Sequence, residues 1–538
     1  MTVAGSNATV SHGGKRYFAS GATATLTVDD ANKAFKTFSV SGATYSVAAN
    51  KKSATVTVPT ADITVTATLT QIPVSYLDAS GEEQTCTSCT VLQGSETTLP
   101  EGTYVVFGDI TYTGTVTLDG DVTLILADGC HMNIGTENNG ITGNGITNGI
   151  RNLTITSQSL SDSMGALSVY ITGNNNRGIL AYNLTINGGH VTANNSVSVN
   201  GDVTINGGTV YVTSSDTNTS VIYAVKNFIY NGGNVTVTVT GSSLASAIRA
   251  LGNYTFNWRN ATDRITIGST GLYATDRTAT FARLFKDASD NYYGGTLTGS
   301  DLSTLSGVTL SAATQLVLAD TDDNSARLAA ANSMTGLDVQ LQNRTLLKGN
   351  TWNTLCLPFS MTSAEIAASP LAGATIKELD ATTSLENGVL TLKFNTATSI
   401  EAGKPYIIKW TDGESISNPV SSGVTIDNSA EAQARMTVTS NDGKVKFVGQ
   451  YSPFSITADN INSILYIASG NKIGYSSKTR ELKCFRAHFW VQPNGMQQAA
   501  SMISIDFGDS ETTERLRPRI SRMTRILMVR CTTCRAVR

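Results

Sequence analysis

Alternating apolar and polar residues recur in the middle of the chain and predict short strands. Three stretches, which begin at Leu184, Val203 and Phe228, each read strand, Asn-Gly-Gly, strand. Side chains alternate along a strand, so Leu184 and Ile186 point to one face and Thr185 to the other. Asn-Gly-Gly then turns the chain, because glycine adopts positive φ without steric cost. The predicted interior positions are Ile186, Ile205 and Ile229.

The spacing of these repeats predicts that the strands stack. Asn187, Asn206 and Asn231 follow one another at intervals of 19 and 25 residues. Such periods, with β-branched strands, are typical of a stacked solenoid whose rungs lie about 4.8 Å apart. We therefore expect the three Asn side chains to form a structural ladder of amide hydrogen bonds from rung to rung.

The predicted fold class is all-β. It is a right-handed parallel β-helix flanked by a small N-terminal β module and a C-terminal β-sandwich-like module. Only 324–336 and 362–372 look briefly helical. The predicted segments are a small β repeat-type module (1–70), a connector and cap (71–110), the parallel β-helix (111–320), a linker with a short helix (321–350), the sandwich-like module (351–508) and a disordered tail (509–538).

Composition and charge restrict the classes of partner that we expect the chain to bind. Charged residues make up 15% of the chain, against roughly 25% in an ordinary globular protein. Residues 515–538 hold eight Arg and no acid, whereas the other 514 residues hold 30 basic and 41 acidic groups, a balance of −11. An acidic body disfavours nucleic acid, because phosphate contacts need clustered Lys and Arg. No apolar run approaches the roughly 18 residues of a membrane span. We expect a monomer.

Several tracts resemble known bacterial surface proteins. The segment Val58-Pro-Thr-Ala-Asp-Ile-Thr-Val-Thr-Ala resembles the closing strand of repeat modules that occur in strings on bacterial cell-surface proteins. The repeats, with Trp352-Asn-Thr-Leu-Cys-Leu-Pro-Phe, Gly403-Lys-Pro-Tyr-Ile-Ile-Lys-Trp and Phe485-Arg-Ala-His-Phe, resemble exported proteins of Bacteroidota. That resemblance implies a carbohydrate-binding or β-helical central region and a secreted or outer-surface location, without an assigned activity.

The two ends of the chain depart from this resemblance. Residues 2–20 lack the apolar segment of a signal peptide, so we expect the start of the chain to be missing. Proteins of the resembled group commonly end in a sorting segment containing Tyr-Asn-Leu-Gln-Gly-Arg. Cys531-Thr-Thr-Cys-Arg-Ala can be encoded TGT ACA ACC TGC AGG GCC, which reads Tyr-Asn-Leu-Gln-Gly when shifted by two bases. Our hypothesis is an out-of-frame tail; the alternative is a basic arm.

The seven cysteines do not indicate a metal site. Cys86 and Cys89 form one close pair, and Cys531 and Cys534 another, but more than 400 residues separate the pairs. A zinc ribbon expects about 15–20 residues between its pairs. A local disulfide or two free thiols is the better interpretation of the first pair. Three further cysteines lie in apolar runs and are predicted to be buried: Cys130, Cys356 and Cys484. We expect no metal and no cofactor.

Acidic residues near the repeats are the weak catalytic candidates. Solenoid lyases and hydrolases use clustered acids. The available acids are Asp119, Asp121, Asp128 and Asp202, of which the first three are the candidates if the protein is an enzyme. None recurs at equivalent positions of neighbouring repeats. The alternative interpretation makes Asp119-Gly-Asp a hairpin-type turn.

Aromatic residues are the binding candidates. Tyr211, Tyr223 and Tyr230 lie in consecutive predicted strands and Trp258 follows them, so they offer a platform on which sugars stack. Packing within the sheet is the alternative for each. Three functions remain open: a non-enzymatic glycan-binding or adhesin-like surface protein, a polysaccharide lyase or glycoside hydrolase on the same scaffold, and a structural stalk or spacer.

Overall fold

The computed structural model describes residues 2–508 and 514–516, apart from gaps at 6–7, 13–14, 30–32, 49–50, 52, 72, 174–175, 216–218, 241–244, 469, 492–499 and 501. Strands make up 49% of the residues and helices 5%. The predicted all-β class is therefore confirmed. The chain divides into two compact units, the first comprising 1–282 and 296–312, the second 283–295 and 313–538.

The N-terminal part of unit 1 forms small antiparallel sheets. A four-stranded sheet has Thr23–Thr27 and Ser53–Thr57 at its centre, with Ala24, Leu26, Ala54 and Val56 buried beneath it. The strands are Thr2–Gly5, Ala8–His12, Lys15–Phe18, Thr23–Thr27, Lys33–Ser41, Tyr45–Val47, Ser53–Thr57 and Thr64–Gln71. A hairpin of Val74–Leu77 and Glu83–Cys86 follows.

Short parallel strands in the rest of unit 1 form three ladders, in which each strand pairs with the equivalent strand of the next repeat. The first ladder contains Thr90–Val91, Gly102–Val106, Val122–Leu126, Leu153–Ser157, Leu184–Ile186, Val203–Ile205, Phe228–Tyr230, Tyr254–Phe256 and Thr278–Lys286. The second ladder contains Asp109–Tyr112, His131–Ile134, Ala166–Val169, His190–Asn194, Thr209–Ser214, Asn234–Val239 and Arg264–Ile267. The third ladder contains Thr98–Leu99, Val116–Leu118, Ile146–Thr147, Ile179–Ala181, Val197–Val199, Ile222–Ala224 and Ile248–Ala250.

Other strands lie beside these ladders. Ile141–Thr142 pairs in parallel with Ile171–Thr172. Thr309–Ala312 runs antiparallel to the last strand of the second ladder, and a 3-10 helix spans Gly299–Thr304.

Apolar side chains on one face of each ladder strand form the interior. In the first ladder Leu184 aligns with Val203 and Phe228, and all three are almost completely buried. Burial of such a side chain stabilises a fold by about 1.5–3 kcal/mol. Polar residues, mostly Thr, Ser and Asn, occupy the alternate positions. Burial therefore repeats from rung to rung with the two-residue period of a strand.

One predicted interior position is wrong. Ile186 aligns with Ile205 and then with Tyr230, whereas Ile229 aligns with Thr204 on the outer face. Ile229 is partly exposed and Tyr230 is buried. The repeats align Phe228 with Leu184, so strict alternation gives Ile229 the outward position of Thr185 and Tyr230 the inward position of Ile186. The choice of Ile229 followed its residue type instead of its position in the repeat.

The ladders begin earlier than predicted. Thr90–Val91 and Thr98–Leu99 already pair in parallel with later strands, although 71–110 was predicted to be a connector and cap. Asp119-Gly-Asp is not a hairpin turn either. The strands on its two sides, Val116–Leu118 and Val122–Leu126, belong to different ladders and do not pair with each other.

Unit 2 contains two larger antiparallel or mixed sheets. One has the strands Asn353–Cys356, Pro405–Lys409, Thr375–Leu379, Val389–Thr396, Met502–Asp506 and Glu514–Leu516, with Ser384–Glu386 beside them. The other has Thr437–Thr439, Val445–Gln450, Arg486–Val491, Ile464–Ala468 and Lys472–Tyr475. The ring of Phe394 in the first sheet contacts Phe447 and Phe489 in the second, at centroid distances of 6.4 and 6.2 Å.

Smaller elements complete unit 2. Leu337–Gln342 lies between Gln315–Ala319 and Val420–Val424 in a three-stranded sheet. The segment 321–350, predicted to be a linker, thus contributes a central strand. The remaining strands of unit 2 are Thr345–Leu346, Ile416–Ser417, Phe454–Ile456 and Arg480–Leu482; the helices are Ser325–Ala331, Ser363–Ala367 and Ala430–Arg435. The strand Tyr292–Thr298 has residues in both units.

The cysteines and the tail complete the description. Cys86 and Cys89 form a disulfide, which leaves no thiolate pair for zinc there. Cys130, Cys356 and Cys484 are buried free thiols, as predicted. Burial raises the pKa of the Cys356 thiol to about 12. Of the predicted tail, only 514–516 near its start are described, so Cys531 and Cys534 and the out-of-frame hypothesis lie outside the described residues.

Candidate functional site

The three predicted ladder asparagines lie one above another at the end of the first-ladder strands. The side-chain amide of Asn206 donates to Oδ1 of Asn187 at 2.8 Å, and that of Asn231 donates to Oδ1 of Asn206 at 2.8 Å. Asn187 and Asn206 are buried. Since the buried amides are hydrogen-bonded to one another, the row holds three successive turns in register. We interpret it as a structural device, as the sequence predicted.

A second polar row lies at the other end of the same strands and was missed from the sequence. Asn152 donates both its backbone N–H and its side-chain amide to Asp121, at 2.9 and 2.7 Å. Asn183 donates to Asn152, and Asp202 accepts two hydrogen bonds from Asn227. The complete row is Asp121, Asn152, Asn183, Asp202, Asn227 and Asn253.

A sequence signal for this row was present. Each member stands immediately before the first apolar residue of a first-ladder strand, as Asp121 precedes Val122 and Asn253 precedes Tyr254. Asp and Asn accept hydrogen bonds from nearby backbone N–H groups and are common where the chain turns. A search for Asx residues before strands, instead of the Asn-Gly-Gly string alone, would have found all six.

The three carboxylate candidates do not converge on one place. Asp119 is exposed at the end of a third-ladder strand. Asp121 belongs to the second polar row, where the hydrogen bonds from Asn152 lower the pKa of its carboxyl. Asp128 is exposed and accepts a hydrogen bond from the Ser159 hydroxyl at 3.0 Å. Within the described ranges, no group of three or more His, Cys, Asp or Glu side chains is arranged to hold a metal ion.

Tyr230 was wrongly chosen as a binding residue. Its ring is completely buried in the first ladder, and its hydroxyl donates to the carbonyl oxygen of Gly233 at 2.7 Å. Burial raises the pKa of this phenol. A ring inside the ladder packs against Phe256, with centroids 6.5 Å apart, and is out of reach of a glycan.

The other three aromatic candidates lie on different surfaces. Tyr211 is 42% exposed in the second ladder, where it aligns with Thr192 and Thr236. Trp258 is partly exposed and follows a first-ladder strand. Tyr223 is partly exposed in the third ladder. The structure therefore does not bring Tyr211, Tyr223 and Trp258 together on one ladder.

Tyr223 instead has cationic and aromatic neighbours that were not predicted. It aligns with Arg249 one rung later. Leu272 forms a parallel bridge with Ile248, and the N–H of Tyr273 donates to the carbonyl oxygen of Ile248 at 3.0 Å. Tyr273 therefore follows Arg249 on the next rung. Tyr223, Arg249 and Tyr273 occupy outward positions of three successive rungs.

The side chains of this row contact one another. The guanidinium carbon of Arg249 lies 4.4 Å from the ring centre of Tyr273 and 6.0 Å from that of Tyr223. The guanidinium carbon of Arg277 lies 6.0 Å from the ring centre of Tyr273. Guanidinium groups stack on aromatic faces and hold them in place. We call Tyr223, Arg249, Tyr273 and Arg277 the Arg249 strip.

A buried tyrosine supports the strip from inside the ladders. The hydroxyl of Tyr254 donates to the carbonyl oxygen of Tyr273 at 2.9 Å and accepts the N–H of Ala250 at 3.1 Å. Burial raises the pKa of Tyr254 to about 12, so it remains a neutral donor at physiological pH. The hydroxyl therefore helps the backbone bridge between Leu272 and Ile248 to hold the segment that carries Tyr273.

Comparisons with protein-family models, with curated proteins and with solved structures found no match to this chain. Among the described residues, no helix has the length and hydropathy that a membrane crossing requires.

Proposed function

We propose that this chain is a non-enzymatic, glycan-binding surface or secreted protein. In this proposal the three ladders are the faces of a right-handed parallel β-helix, and the Arg249 strip is its sugar-binding surface. In the same proposal, the two packed sheets of unit 2 form a β-sandwich. The observation that carries the proposal is the row of outward aromatic and cationic side chains on the third ladder.

The in-register pairing of the ladders supports the solenoid. Every strand of the first ladder pairs in parallel with the equivalent strand of the next repeat, and their inward side chains are mostly apolar. Parallel strands cannot be joined by tight hairpins, so the chain has to travel around a coil before it returns to the same ladder.

The chemistry of the strip supports glycan binding. Sugar rings present apolar C–H faces and polar hydroxyl edges. Tyr223 and Tyr273 are partly exposed and offer aromatic faces to the C–H faces of a sugar. The N–H groups of Arg249, which donate to no described residue, are available to the hydroxyl groups. The side chains are held by stacking on one another and by the Tyr254 hydroxyl, so a ligand meets a preorganised surface, which reduces the entropic cost of binding.

A glycan array with the full chain tests the proposal, combined with an assay for reducing ends and unsaturated products on each glycan that binds. We expect saturable binding with no product. If product is released, and either Asp121→Asn or Asp128→Asn abolishes its release, the lyase or hydrolase alternative replaces the proposed binding function. If no glycan binds, the chain is better described as a stalk or spacer.

A further inference from the structure

We propose that the Arg249 strip selects acidic glycans, in which the guanidinium groups of Arg249 and Arg277 bind a sugar carboxylate or sulfate. This inference rests on the proposed glycan binding and names the ligand class. A sugar ring stacks on Tyr223 or Tyr273 while its acidic substituent reaches the neighbouring arginine.

Almost all N–H groups of the two arginines in the strip lack a hydrogen-bond acceptor among the described residues. Arg249 donates no hydrogen bond to any described residue, and its Nε is buried without a partner. Arg277 donates one hydrogen bond, to the carbonyl oxygen of Asp276 at 3.1 Å, and its Nε is also buried without a partner among the described residues. A guanidinium carries five N–H donors in a planar fork that matches a carboxylate. Two such groups beside one tyrosine ring leave donors for an anion.

The positive charge of the strip is not balanced locally. Within the described residues, no carboxylate oxygen lies within 4.0 Å of a guanidinium nitrogen of Arg249 or Arg277. Unpaired charges that are partly removed from water are unfavourable, and an anionic ligand relieves that cost.

The overall charge favours an acidic glycan over nucleic acid as the anion. Outside the tail the chain carries a balance of −11, so a densely charged polyphosphate is repelled by most of the surface. The strip supplies few cations, spread over rungs about 4.8 Å apart. An acidic glycan carries sparser charges and has stackable faces between them, which fits alternating Tyr and Arg.

The first test compares neutral, uronate-bearing, sulfated and sialylated glycans on one array with the full chain, beside a single-stranded DNA probe. We expect the acidic glycans to give the strongest signals, and the array to distinguish carboxylate from sulfate. Equal or stronger binding of neutral glycans overturns the inference but leaves the proposed function in place. Stronger binding of DNA overturns it as well. No binding at all removes the proposed function itself.

The second test uses a matched pair of ligands, a β-1,4-glucuronate oligosaccharide and the cello-oligosaccharide of the same length, which differ only in the C6 carboxylate. A single good charge-assisted contact corresponds to about tenfold or greater preference for the acid, and added salt should reduce that preference. Arg249→Gln and, separately, Arg277→Gln should diminish it. The control is Arg264→Gln, an exposed arginine of the second ladder.

The variants are first compared with the parent chain by circular dichroism, and Arg249→Lys serves where Arg249→Gln does not fold. The lysine variant retains the charge but loses the planar fork, so we expect it to bind the acid more weakly than the parent. If Arg277→Gln and the folded Arg249 variant both retain the full preference of the parent chain for the glucuronate oligosaccharide, the arginines do not bind the acidic group and the inference is wrong.

Discussion

The side-chain amide of Asn206 donates a 2.8 Å hydrogen bond to Oδ1 of Asn187, 19 residues earlier in the chain. Asn206 in turn accepts a hydrogen bond of the same length from Asn231. The middle asparagine thus uses both its donor and its acceptor within this row. Its replacement should disturb two rungs at once.

Asn206→Ala should loosen the first ladder on both sides of the substitution. Loss of a buried partner leaves an unsatisfied polar group that costs about 1–3 kcal/mol. Hydrogen exchange followed by mass spectrometry should show faster exchange of amides in 203–205 and 228–230. Thr204→Ala, on the outer face of the same strand, is the control and should change exchange little. Equal protection in Asn206→Ala and the parent chain would mean that the row does not hold the rungs.

Gly208→Ala should destabilise unit 1 more than a glycine substitution with similar backbone geometry elsewhere. Gly208 has φ of +84°, and a Cβ there would lie 2.5 Å from the carbonyl oxygen of Gly189. Gly129 has φ of +74°, and a Cβ added there would have open space around it, with no atom within 4 Å.

Both alanine variants incur about 1–2 kcal/mol for the left-handed conformation, and Gly208→Ala adds the cost of overpacking, about 1–3 kcal/mol. Differential scanning calorimetry compares the two. If the midpoint temperature of unfolding is as low for Gly129→Ala as for Gly208→Ala, the turns do not stack with closely spaced backbones.

Tyr254→Phe should release the segment that carries Tyr273 without removing any group of the strip. The variant loses the hydrogen bond to the Tyr273 carbonyl oxygen and leaves the Ala250 N–H without its partner. We expect a local loss of about 1–2 kcal/mol, visible as faster exchange of amides in 272–277. Tyr211→Phe, which removes a hydroxyl from an exposed ring of the second ladder, should leave this exchange unchanged.

His488 should make unit 2 less stable in mild acid. Its ring is completely buried, stacks on Phe454 with centroids 4.2 Å apart and has its Nδ1 3.0 Å from Oε1 of Gln450. Burial lowers the pKa of His488 to about 4. At pH values well above the ordinary pKa of histidine, about 6.5, the imidazole is neutral in both states, so its contribution is fully present.

As the pH falls from about 6.5 to about 4, the His488 imidazole becomes protonated in the unfolded state but stays neutral in the folded state. The free energy of unfolding therefore drops by up to about 3 kcal/mol. Urea unfolding between neutral pH and about pH 4 measures this drop. His488→Phe should reduce it, and His190→Gln in unit 1 should not. A parent chain whose unit 2 loses no more stability than His488→Phe would show that the buried ring is not the cause.

The ladders could be predicted because their physical cause is local. Alternation of Leu184-Thr-Ile gives one buried and one outer face, and the Asn-Gly-Gly string marks the turn. The face of Tyr230 follows from the same alternation, because the repeats align Phe228 with Val203 and Tyr230 then takes the inward position of Ile205. Residue type alone did not reveal it, since aromatic residues occur both inside and on the surface of sheets.

The Arg249 strip was beyond sequence reasoning for a different reason. Tyr223 and Arg249 are 26 residues apart, and Tyr273 follows 24 residues later, in a segment without the repeat string. Loops of unequal length separate the rungs, so spacing in the chain does not predict vertical neighbours. Their contact depends on the register of the third ladder, which becomes visible only in three dimensions.

The most direct test of a glycan-binding surface on the third ladder compares two variants, Tyr223→Ala and Tyr211→Ala. The measured quantity is the equilibrium affinity of each for the glycan that binds most tightly on the array. Both rings lie outward on a ladder, but only Tyr223 belongs to the Arg249 strip. An aromatic contact of about 1.4 kcal/mol corresponds to a tenfold change. Calorimetry should therefore show roughly tenfold weaker binding for Tyr223→Ala and an unchanged affinity for Tyr211→Ala. Equal affinities in the two variants and the parent chain would contradict a binding surface on the third ladder.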